Sequence, residues 1–527
     1  SMAVAMRAPL AFSLALSLAA FSAVLAADAA GEACAAPAVP LPLPLTLDGV
    51  SPTVKAAEYA VRGRLLDRSV ELSALLAAGA SLPFSQIVRC NIGNPQALGQ
   101  KPLSFVRRVL SLLMNPELLE APPPAYPADV IARAKLYAAA VPSVGAYSDS
   151  QGIAVVREHV AEFIASRDGF PSSPSDIFLT DGASAGVKAL MQLMIRGPHD
   201  AVLAPIPQYP LYSATAAMLN GTLAGYYLDE ATSWGVVEAE LRRALARAVD
   251  KGATARALVV INPGNPTGQS LPKEVVEMIL RFAASEGLVL MADEVYQENV
   301  YGDAPPFYSF KRALAELRLA GEKGDAAAAS LAARAQLISF HSTSKGFIGE
   351  CGLRGGYFEL QNIPDDVKAQ ITKLASVSLC SNVVGQFATG LMVRPPREGE
   401  PSHAEYSAER AAILASLAKR ATHTAAVLNS LPGISCNAAE GAMYLFPQLH
   451  LPPRAVAAAE AEGAKADEFY ALRLLEATGL VVVPGSGFGQ ADGTWHFRTT
   501  FLPPDDQLED VLKRLAVFQR DFMAQYE

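Results

Sequence analysis

Short apolar runs alternate with helical stretches through the middle of the chain, and a polar cluster follows four of the five runs. The runs lie at residues 176–180, 201–205, 257–261, 288–292 and 336–340. Continuous apolar strands separated by helices are typical of a largely parallel sheet that is buried on both faces. The sequence therefore predicts an α/β fold with a mostly parallel central sheet.

The polar clusters define a candidate site. In open sheets of this kind, ligands bind beyond the carboxyl ends of the strands. Each cluster follows the end of a predicted strand, so we expect Ser184, Asn265, Asp293, Tyr296 and Lys345 to converge on one crevice.

One part of this crevice has the chemistry of an anion site. Residues 181–184 (DGAS) precede a predicted helix, where free backbone N–H groups favour a phosphate. Ser342, Ser344 and Arg354 supply further donors. A phosphate-bearing ligand is therefore predicted.

A lysine and an acid accompany the anion site. Lys345 beside a phosphate is a candidate for covalent attachment to a carbonyl cofactor. Asp293 is a candidate partner for a protonated ring nitrogen, as in pyridoxal phosphate. Taken singly, each residue also fits a plainer interpretation, a solvated lysine or a turn aspartate. Residues 342–345 also match the S-x-x-K motif of the penicillin-binding class. The chain has neither the S-D-N nor the K-T-G motif of that class, so this interpretation is disfavoured.

Composition argues against several other classes of protein. The five cysteines have no C-x-x-C spacing and the seven histidines are dispersed, which disfavours a disulfide scaffold or a metal site. The net charge of −9 disfavours nucleic-acid binding. A low-complexity patch at 324–330 is predicted to bulge from the surface.

The N-terminal 44 residues have the character of a targeting segment and a Pro-rich linker. Residues 8–27 are almost wholly Ala, Leu, Ser, Phe and Val, with Arg7 before them. A secretory signal is the interpretation that these residues favour, and an organellar presequence or an Ala-rich tail are the alternatives. No later apolar run is long enough to span a membrane, so no membrane association is expected of the mature protein.

The ordered set of motifs resembles the fold-type I pyridoxal-phosphate aminotransferases of classes I and II. Three motifs are typical of the superfamily: NPGNPTG at 262–268, DEVY at 293–296 and STSKG at 342–346. Three others are similar to the alanine aminotransferase group and its glutamate:glyoxylate relatives: CNIGNPQALGQK at 90–101, GECGLRGGY at 349–357 and PGSGFGQ at 484–490. The resemblance covers residues 50–527.

This resemblance implies roles for the central residues. Lys345 would bind pyridoxal 5′-phosphate covalently and, once released, carry a proton to and from the substrate. Asp293 would keep the ring nitrogen protonated, while Asn265 and Tyr296 would donate hydrogen bonds to the phenolic oxygen. Tyr209 would stack on the ring; without the family, a packed loop aromatic is the preferred interpretation.

The phosphate and the dimer are implied in the same way. The phosphate ligands would be Ala183, Ser184, Ser342, Ser344 and Arg354. Tyr147 would reach the phosphate of the neighbouring subunit, which implies a homodimer with shared sites; its alternative is a surface aromatic. Arg354 lies nine positions after Lys345, where aspartate-type relatives have eight, so the intervening loop is expected to bulge differently.

Substrate binding is implied for three residues. Arg498 would hold the α-carboxylate through its planar guanidinium, although residues 496–499 alone favour an edge-strand arginine that faces water. Gly93 would let the backbone approach the same carboxylate, and Asn265 would assist.

The resemblance also implies the activity and the domain organisation. The expected reaction is transfer of the amino group from L-alanine to 2-oxoglutarate; glutamate:glyoxylate transfer and a lyase of the same fold are the alternatives. The expected divisions are residues 1–44 (targeting), 45–129 (contributing to a small domain and to dimer contacts), 130–365 (a large cofactor domain) and 366–527 (the small domain). The family favours a mitochondrial location, with secretion and the cytoplasm as alternatives.

Overall fold

A computed structural model describes residues 45–59 and 63–527; the predicted targeting segment lies outside the described residues. The larger of its sheets has the strand order β2-β8-β7-β6-β5-β3-β4. Its strands are β2 (Ile177–Thr180), β3 (Asp200–Ile206), β4 (Thr222–Tyr227), β5 (Thr254–Ile261), β6 (Val289–Asp293), β7 (Leu337–Ser342) and β8 (Gly356–Gln361). The pairs are parallel except where β8 meets β2 and β7. The predicted α/β class with a mostly parallel sheet is confirmed.

A second group of strands lies in the C-terminal part of the chain. Its strands are β9 (Ile434–Ser435), β10 (Tyr444–Leu445), β11 (Gln448–Leu449), β13 (Val483–Pro484) and β14 (Trp495–Thr500), while β1 (Val88–Arg89) pairs with β12 (Leu480–Val481). β14 is central, because β10, β11 and β13 all pair with it.

Helices connect and cover the strands. In chain order they are α1 (Pro52–Ala56), α2 (Arg64–Ala77), α3 (Ser104–Met114), α4 (Pro116–Glu120), α5 (Ala128–Ala138), α6 (Ala154–Asp168), α7 (Ala183–Met194), α8 (Leu211–Met218), α9 (Glu238–Asp250), α10 (Lys273–Ser285), α11 (Phe310–Glu322), α12 (Ala326–Arg334), α13 (Asp365–Val377), α14 (Val383–Val393), α15 (His403–Asn429), α16 (Pro453–Ala461), α17 (Ala466–Thr478) and α18 (Asp505–Tyr526).

Both faces of the large sheet are buried, which explains its continuous apolar strands. Along β3, Ala201 and Leu203 pack in the cluster formed with α9, α10, α11 and α12. Val202 and Ala204 point the other way, into the cluster with α7, α8 and α13. The two-residue alternation of a strand therefore serves two helical layers.

The chain divides into two units, Ser1–Ser51 and Pro52–Glu527. In the described part of the first unit, the amides of Gly49 and Val50 donate to the carbonyls of Thr46 and Leu47 in a turn. The second unit contains the sheets and helices given above. The predicted boundaries near residues 130 and 365 stay a prediction.

The low-complexity patch at 324–330 lies at the surface, where every residue except Ala328 is exposed, and its residues 326–330 begin α12. Asp325 caps α12 by accepting a hydrogen bond from the amide of Ala328. Ala328 and Ala332, four residues apart, are buried in the cluster that contains α11. A run of small residues thus allows two helices to pack closely.

Two general properties of the described residues bear on function. Within residues 45–59 and 63–527, no helix has the length and apolar character that crossing a bilayer requires. The same residues contain no group of three or more His, Cys, Asp or Glu side chains placed to hold a metal ion.

His341 on β7 makes stability depend on pH. The side chain is 2% exposed and stacks on Phe163 with 6.3 Å between ring centroids. Burial and the charge of Arg167 lower its pKa from 6.5 to about 3. The unfolded chain therefore binds a proton that the native chain does not as the pH falls below 6.5, and stability is lost in that direction.

We expect the free energy of unfolding to fall by about 2 kcal/mol between pH 7 and pH 5. The reason is that each pH unit below the pKa of the unfolded histidine costs about 1.36 kcal/mol. His341→Leu should reduce the pH-dependent loss of unfolding free energy by that amount in urea titrations at the two pH values. Phe163→Leu, which alters the same packing without a titrating group, should retain the wild-type dependence. Equal pH dependence in His341→Leu and wild type would contradict the assignment.

Candidate active site

Three parallel strands end side by side at one edge of the large sheet. The register pairs Ile261 of β5 with Asp293 of β6, and Asp293 with Phe340 of β7. The loops after β5 and β7 carry Asn265 and Lys345. The strand order therefore brings polar residues that are distant in sequence to the same edge.

A cavity of about 210 Å³ lies at this edge. Its lining includes these residues predicted from the sequence: Gly93, Ala183, Ser184, Tyr209, Asn265, Asp293, Tyr296, Ser342, Ser344, Lys345 and Arg354. Ile92, Asn94, Leu211, Ile261, Val295 and Cys351 complete it. The structure thus brings together nearly all of the predicted site residues.

Asp293 presents a carboxylate oxygen to the cavity. The hydroxyl of Tyr212, on α8, donates to its Oδ2 at 2.7 Å. Its Oδ1 is buried and has no hydrogen-bond partner among the described residues. Burial raises the pKa of this carboxyl, against the hydrogen bond from Tyr212 and the charge of Lys345. A cationic N–H donor in the cavity would satisfy Oδ1 and favour the ionised form, so the residue fits a protonated pyridine nitrogen.

Lys345 extends its amine into the same space. Its Nζ donates to the carbonyl oxygen of Gly93 at 2.7 Å and lies 5.9 Å from the ring centroid of Tyr296. The residue follows β7 directly, in a turn whose preceding Ser344 amide donates to Ser342 Oγ. A primary amine held within a lined cavity is suited to nucleophilic attack on a carbonyl group.

The N-terminus of α7 forms an anion cradle. Gly182, with a φ of 75°, turns the chain into the helix, and a Cβ at this position would come within 2.5 Å of Arg354 Nη2. Ser342 Oγ donates to Ser344 Oγ at 3.1 Å, and both serines line the same cavity. Backbone N–H groups, hydroxyls and a guanidinium together fit a phosphate.

The nine-residue spacing from Lys345 to Arg354 is accommodated by a tight turn. Cys351–Leu353 form a 3₁₀ turn, and Arg354 follows with a left-handed φ of 55°. The guanidinium then donates to the Asp181 carbonyl at 2.9 Å and to Ser184 Oγ at 3.4 Å. Arg354 therefore reaches the start of α7 despite the extra residue.

Arg498 lies on β14 beside the cavity, although it does not line it. Its Nη1 donates to Asn265 Oδ1 at 3.0 Å and its Nη2 to the carbonyl of Asn91. The guanidinium carbon lies 4.3 Å from the ring centroid of Tyr444 and 4.7 Å from that of Phe488. The side chain is 2% exposed, which excludes the edge-strand arginine facing water that the local sequence favoured.

Two predicted tyrosines are held by other tyrosines. The hydroxyls of Tyr209 and Tyr59 are 2.9 Å apart, and burial raises the pKa of Tyr209 well above its usual range. The hydroxyl of Tyr296 donates to that of Tyr444 at 3.3 Å, and burial likewise raises its pKa. Both phenols are therefore protonated at neutral pH, and Tyr296 is the donor in its pair.

Tyr147 is the other predicted residue that does not line the cavity. Its side chain is 74% exposed. That exposure leaves it free to meet a second chain, and its contact with a neighbouring phosphate stays a prediction.

Sequence reasoning missed four residues of the site: Asn91, Tyr212, Cys351 and Tyr444. Tyr212 lies on α8, three positions after Tyr209, where it reads as an ordinary core aromatic. Tyr444 lies in an apolar segment on β10, more than 80 residues after the last predicted cofactor residue. Only the long-range pairing of β10 with β14 brings it next to Arg498.

The chain is similar in sequence to known aminotransferases. Residues 121–515 match the family described as aminotransferase class I and II. A probable mitochondrial alanine aminotransferase of Dictyostelium discoideum is 51% identical, covering 92% of this chain and 90% of that protein. Glutamate–glyoxylate aminotransferase 1 of Arabidopsis thaliana is 48% identical, covering 92% of this chain and 97% of that protein.

A solved structure supports the fold. The alanine aminotransferase from Pyrococcus furiosus aligns with a TM-score of 0.69 at 24% identity, covering 90% of this chain and 100% of that chain. At this identity the likeness shows the fold alone.

Proposed function

Because the chain belongs to the class I and II aminotransferases, we propose that it transfers the amino group of L-alanine to 2-oxoglutarate, giving pyruvate and L-glutamate. Members of this family use pyridoxal 5′-phosphate and act on amino and oxo acids. The choice of L-alanine as the amino donor is supported by the 51% identity, over 92% of the chain, to a relative named as a probable alanine aminotransferase.

The cavity residues are assigned as follows. When bound, pyridoxal phosphate supplies an electron-poor ring that takes up the electrons released at the substrate Cα. Lys345 would hold the cofactor covalently and then move the proton at Cα. Asp293 would accept a hydrogen bond from the ring nitrogen, and its unpartnered Oδ1 supports this role.

The remaining cofactor contacts follow from position in the cavity. Asn265 and Tyr296 would donate to the phenolic oxygen, and Tyr209 would pack against the ring. The phosphate would be held by Ala183, Ser184, Ser342, Ser344 and Arg354. In a homodimer, Tyr147 of the partner subunit would complete the phosphate site.

The substrate carboxylate is assigned to Arg498, with Asn265 and Gly93. The Nε of Arg498 has no hydrogen-bond partner among the described residues, so the guanidinium retains a donor for a carboxylate. Asn265 fixes Nη1 in place at 3.0 Å. Both substrates carry the same α-carboxylate, so the same three residues would serve each half of the reaction.

Glutamate:glyoxylate transfer is the second candidate, supported by the relative that is 48% identical over 92% of the chain. The two candidate activities are distinguished by measuring kcat/KM for L-alanine with 2-oxoglutarate and for L-glutamate with glyoxylate. We expect the first pair to exceed the second by at least about tenfold, a difference of about 1.4 kcal/mol in transition-state binding. The reverse order would contradict the proposal. A lyase of the same fold would instead release pyruvate from an amino acid that carries a leaving group at Cβ, such as L-cysteine, and would form no L-glutamate.

We assign the protein to the mitochondrion, as the name of the Dictyostelium discoideum relative supports. Residues 1–44 fused to a fluorescent protein should direct it to mitochondria. Passage of the fusion into the secretory pathway would support the alternative interpretation of the same residues.

A further inference from the structure

The hydroxyl of Tyr444 lies beside the amine of Lys345. Tyr444 is 2% exposed, and its hydroxyl accepts a hydrogen bond from Tyr296 at 3.3 Å. A Cβ at position 93 would collide with Tyr444 Oη and would lie 3.2 Å from Lys345 Nζ. The Tyr444 hydroxyl and the Lys345 amine therefore both lie close to Gly93, and this explains why the position carries no side chain.

The ring of Tyr444 makes a separate contact. It lies under the guanidinium of Arg498, 4.3 Å from its central carbon, and edge-on to the Tyr296 ring with 6.1 Å between centroids. A cation at this distance from a buried ring is held by the ring's negative face. One side chain thus places its hydroxyl beside the lysine amine and its ring against the arginine.

We propose that Tyr444 is a positioning residue for amino transfer: its hydroxyl orients the Lys345 amine and Tyr296, while its ring holds Arg498 in place. This inference rests on the proposed function for the reaction itself. The contacts on which it depends belong to the chain alone.

The charges around Tyr444 favour the direction of the hydrogen bond between the two tyrosines, in which Tyr296 donates and Tyr444 accepts. Burial alone would raise its pKa, but Lys345 and Arg498 outweigh burial and lower the pKa below 10. The other titratable groups that face the pair are Tyr209 and Asp293, of which Asp293 raises the pKa of Tyr296. Tyr444 is therefore the stronger acid of the two, and Tyr296 remains the donor.

The test is Tyr444→Phe in the full chain loaded with pyridoxal phosphate. Phenylalanine keeps the ring on Arg498 and removes only the hydroxyl. Tyr137→Phe is the matched control, because its buried hydroxyl pairs with His159 in a separate hydrophobic cluster and does not line the cavity. The readouts are single-turnover kinetics with L-alanine and a pH titration of the visible absorbance of the bound cofactor, without any amino acid.

We expect Tyr444→Phe to lower the rate of the L-alanine half-reaction by about tenfold or more, while KM changes by less than about threefold. The pH midpoint of the absorbance change should move by at least about half a unit, and Tyr137→Phe should move neither. An unchanged rate and midpoint, or a higher KM at unchanged rate, would overturn the hydroxyl's role. If L-alanine were not a substrate of the wild type, the proposed function would fail, but the absorbance titration would still decide the position of Tyr444.

Discussion

Replacing Lys345 with alanine should lower the rate of amino transfer by at least about 10⁴-fold, because it removes both the covalent attachment and a general acid–base group. No other lysine lines the cavity that the described residues form. The variant should also lack the visible absorbance of a covalently bound cofactor. Both effects are measurable on purified protein with added pyridoxal phosphate.

Lys513→Ala is the control for the loss of a lysine. Its side chain is 72% exposed on α18, where it pairs with Glu509 at 3.4 Å. We expect wild-type turnover and absorbance from this variant. Normal turnover in Lys345→Ala would remove the basis of the whole site.

Arg498→Lys should lower kcat/KM about a hundredfold for both the amino acid and the oxo acid, mainly through KM. The guanidinium is a planar fork fixed by Asn265 and by the ring of Tyr444, and a lysine ammonium offers a point charge without that geometry. A hundredfold change corresponds to about 2.7 kcal/mol of transition-state binding. Steady-state kinetics with each substrate varied in turn measure it.

Arg473→Lys is the matched control, because that arginine forms an exposed ion pair with Glu462. We expect kinetics equal to those of the wild type. If Arg498→Lys left the KM of both substrates unchanged, the α-carboxylate would have to bind elsewhere.

The large sheet and most of its site could be predicted from the sequence for a physical reason. Strands buried on both faces are apolar throughout, so the polar residues that follow them, such as Asn265 and Lys345, are conspicuous. The carboxyl ends of parallel strands then meet at one edge of the sheet. These local signals locate the cavity without knowledge of the tertiary contacts.

Residues contributed by distant segments gave no such signal. Tyr444 and Arg498 come together beside the cavity only through the pairing of β10 with β14, and neither follows a long apolar strand. The local sequence therefore favoured an exposed arginine where the structure has a buried one. Composition alone could not show that Ala328, within the exposed patch at 324–330, packs in the core, because small residues are typical of loops but also allow close helix packing.

The most direct test of the account is the absorbance spectrum of the protein with pyridoxal phosphate, before and after addition of L-alanine alone. We predict loss of the visible cofactor band, release of one pyruvate per site, and recovery of the band when 2-oxoglutarate is added. A visible band that L-alanine leaves unchanged would contradict the proposed reaction, and the absence of any band would contradict the site.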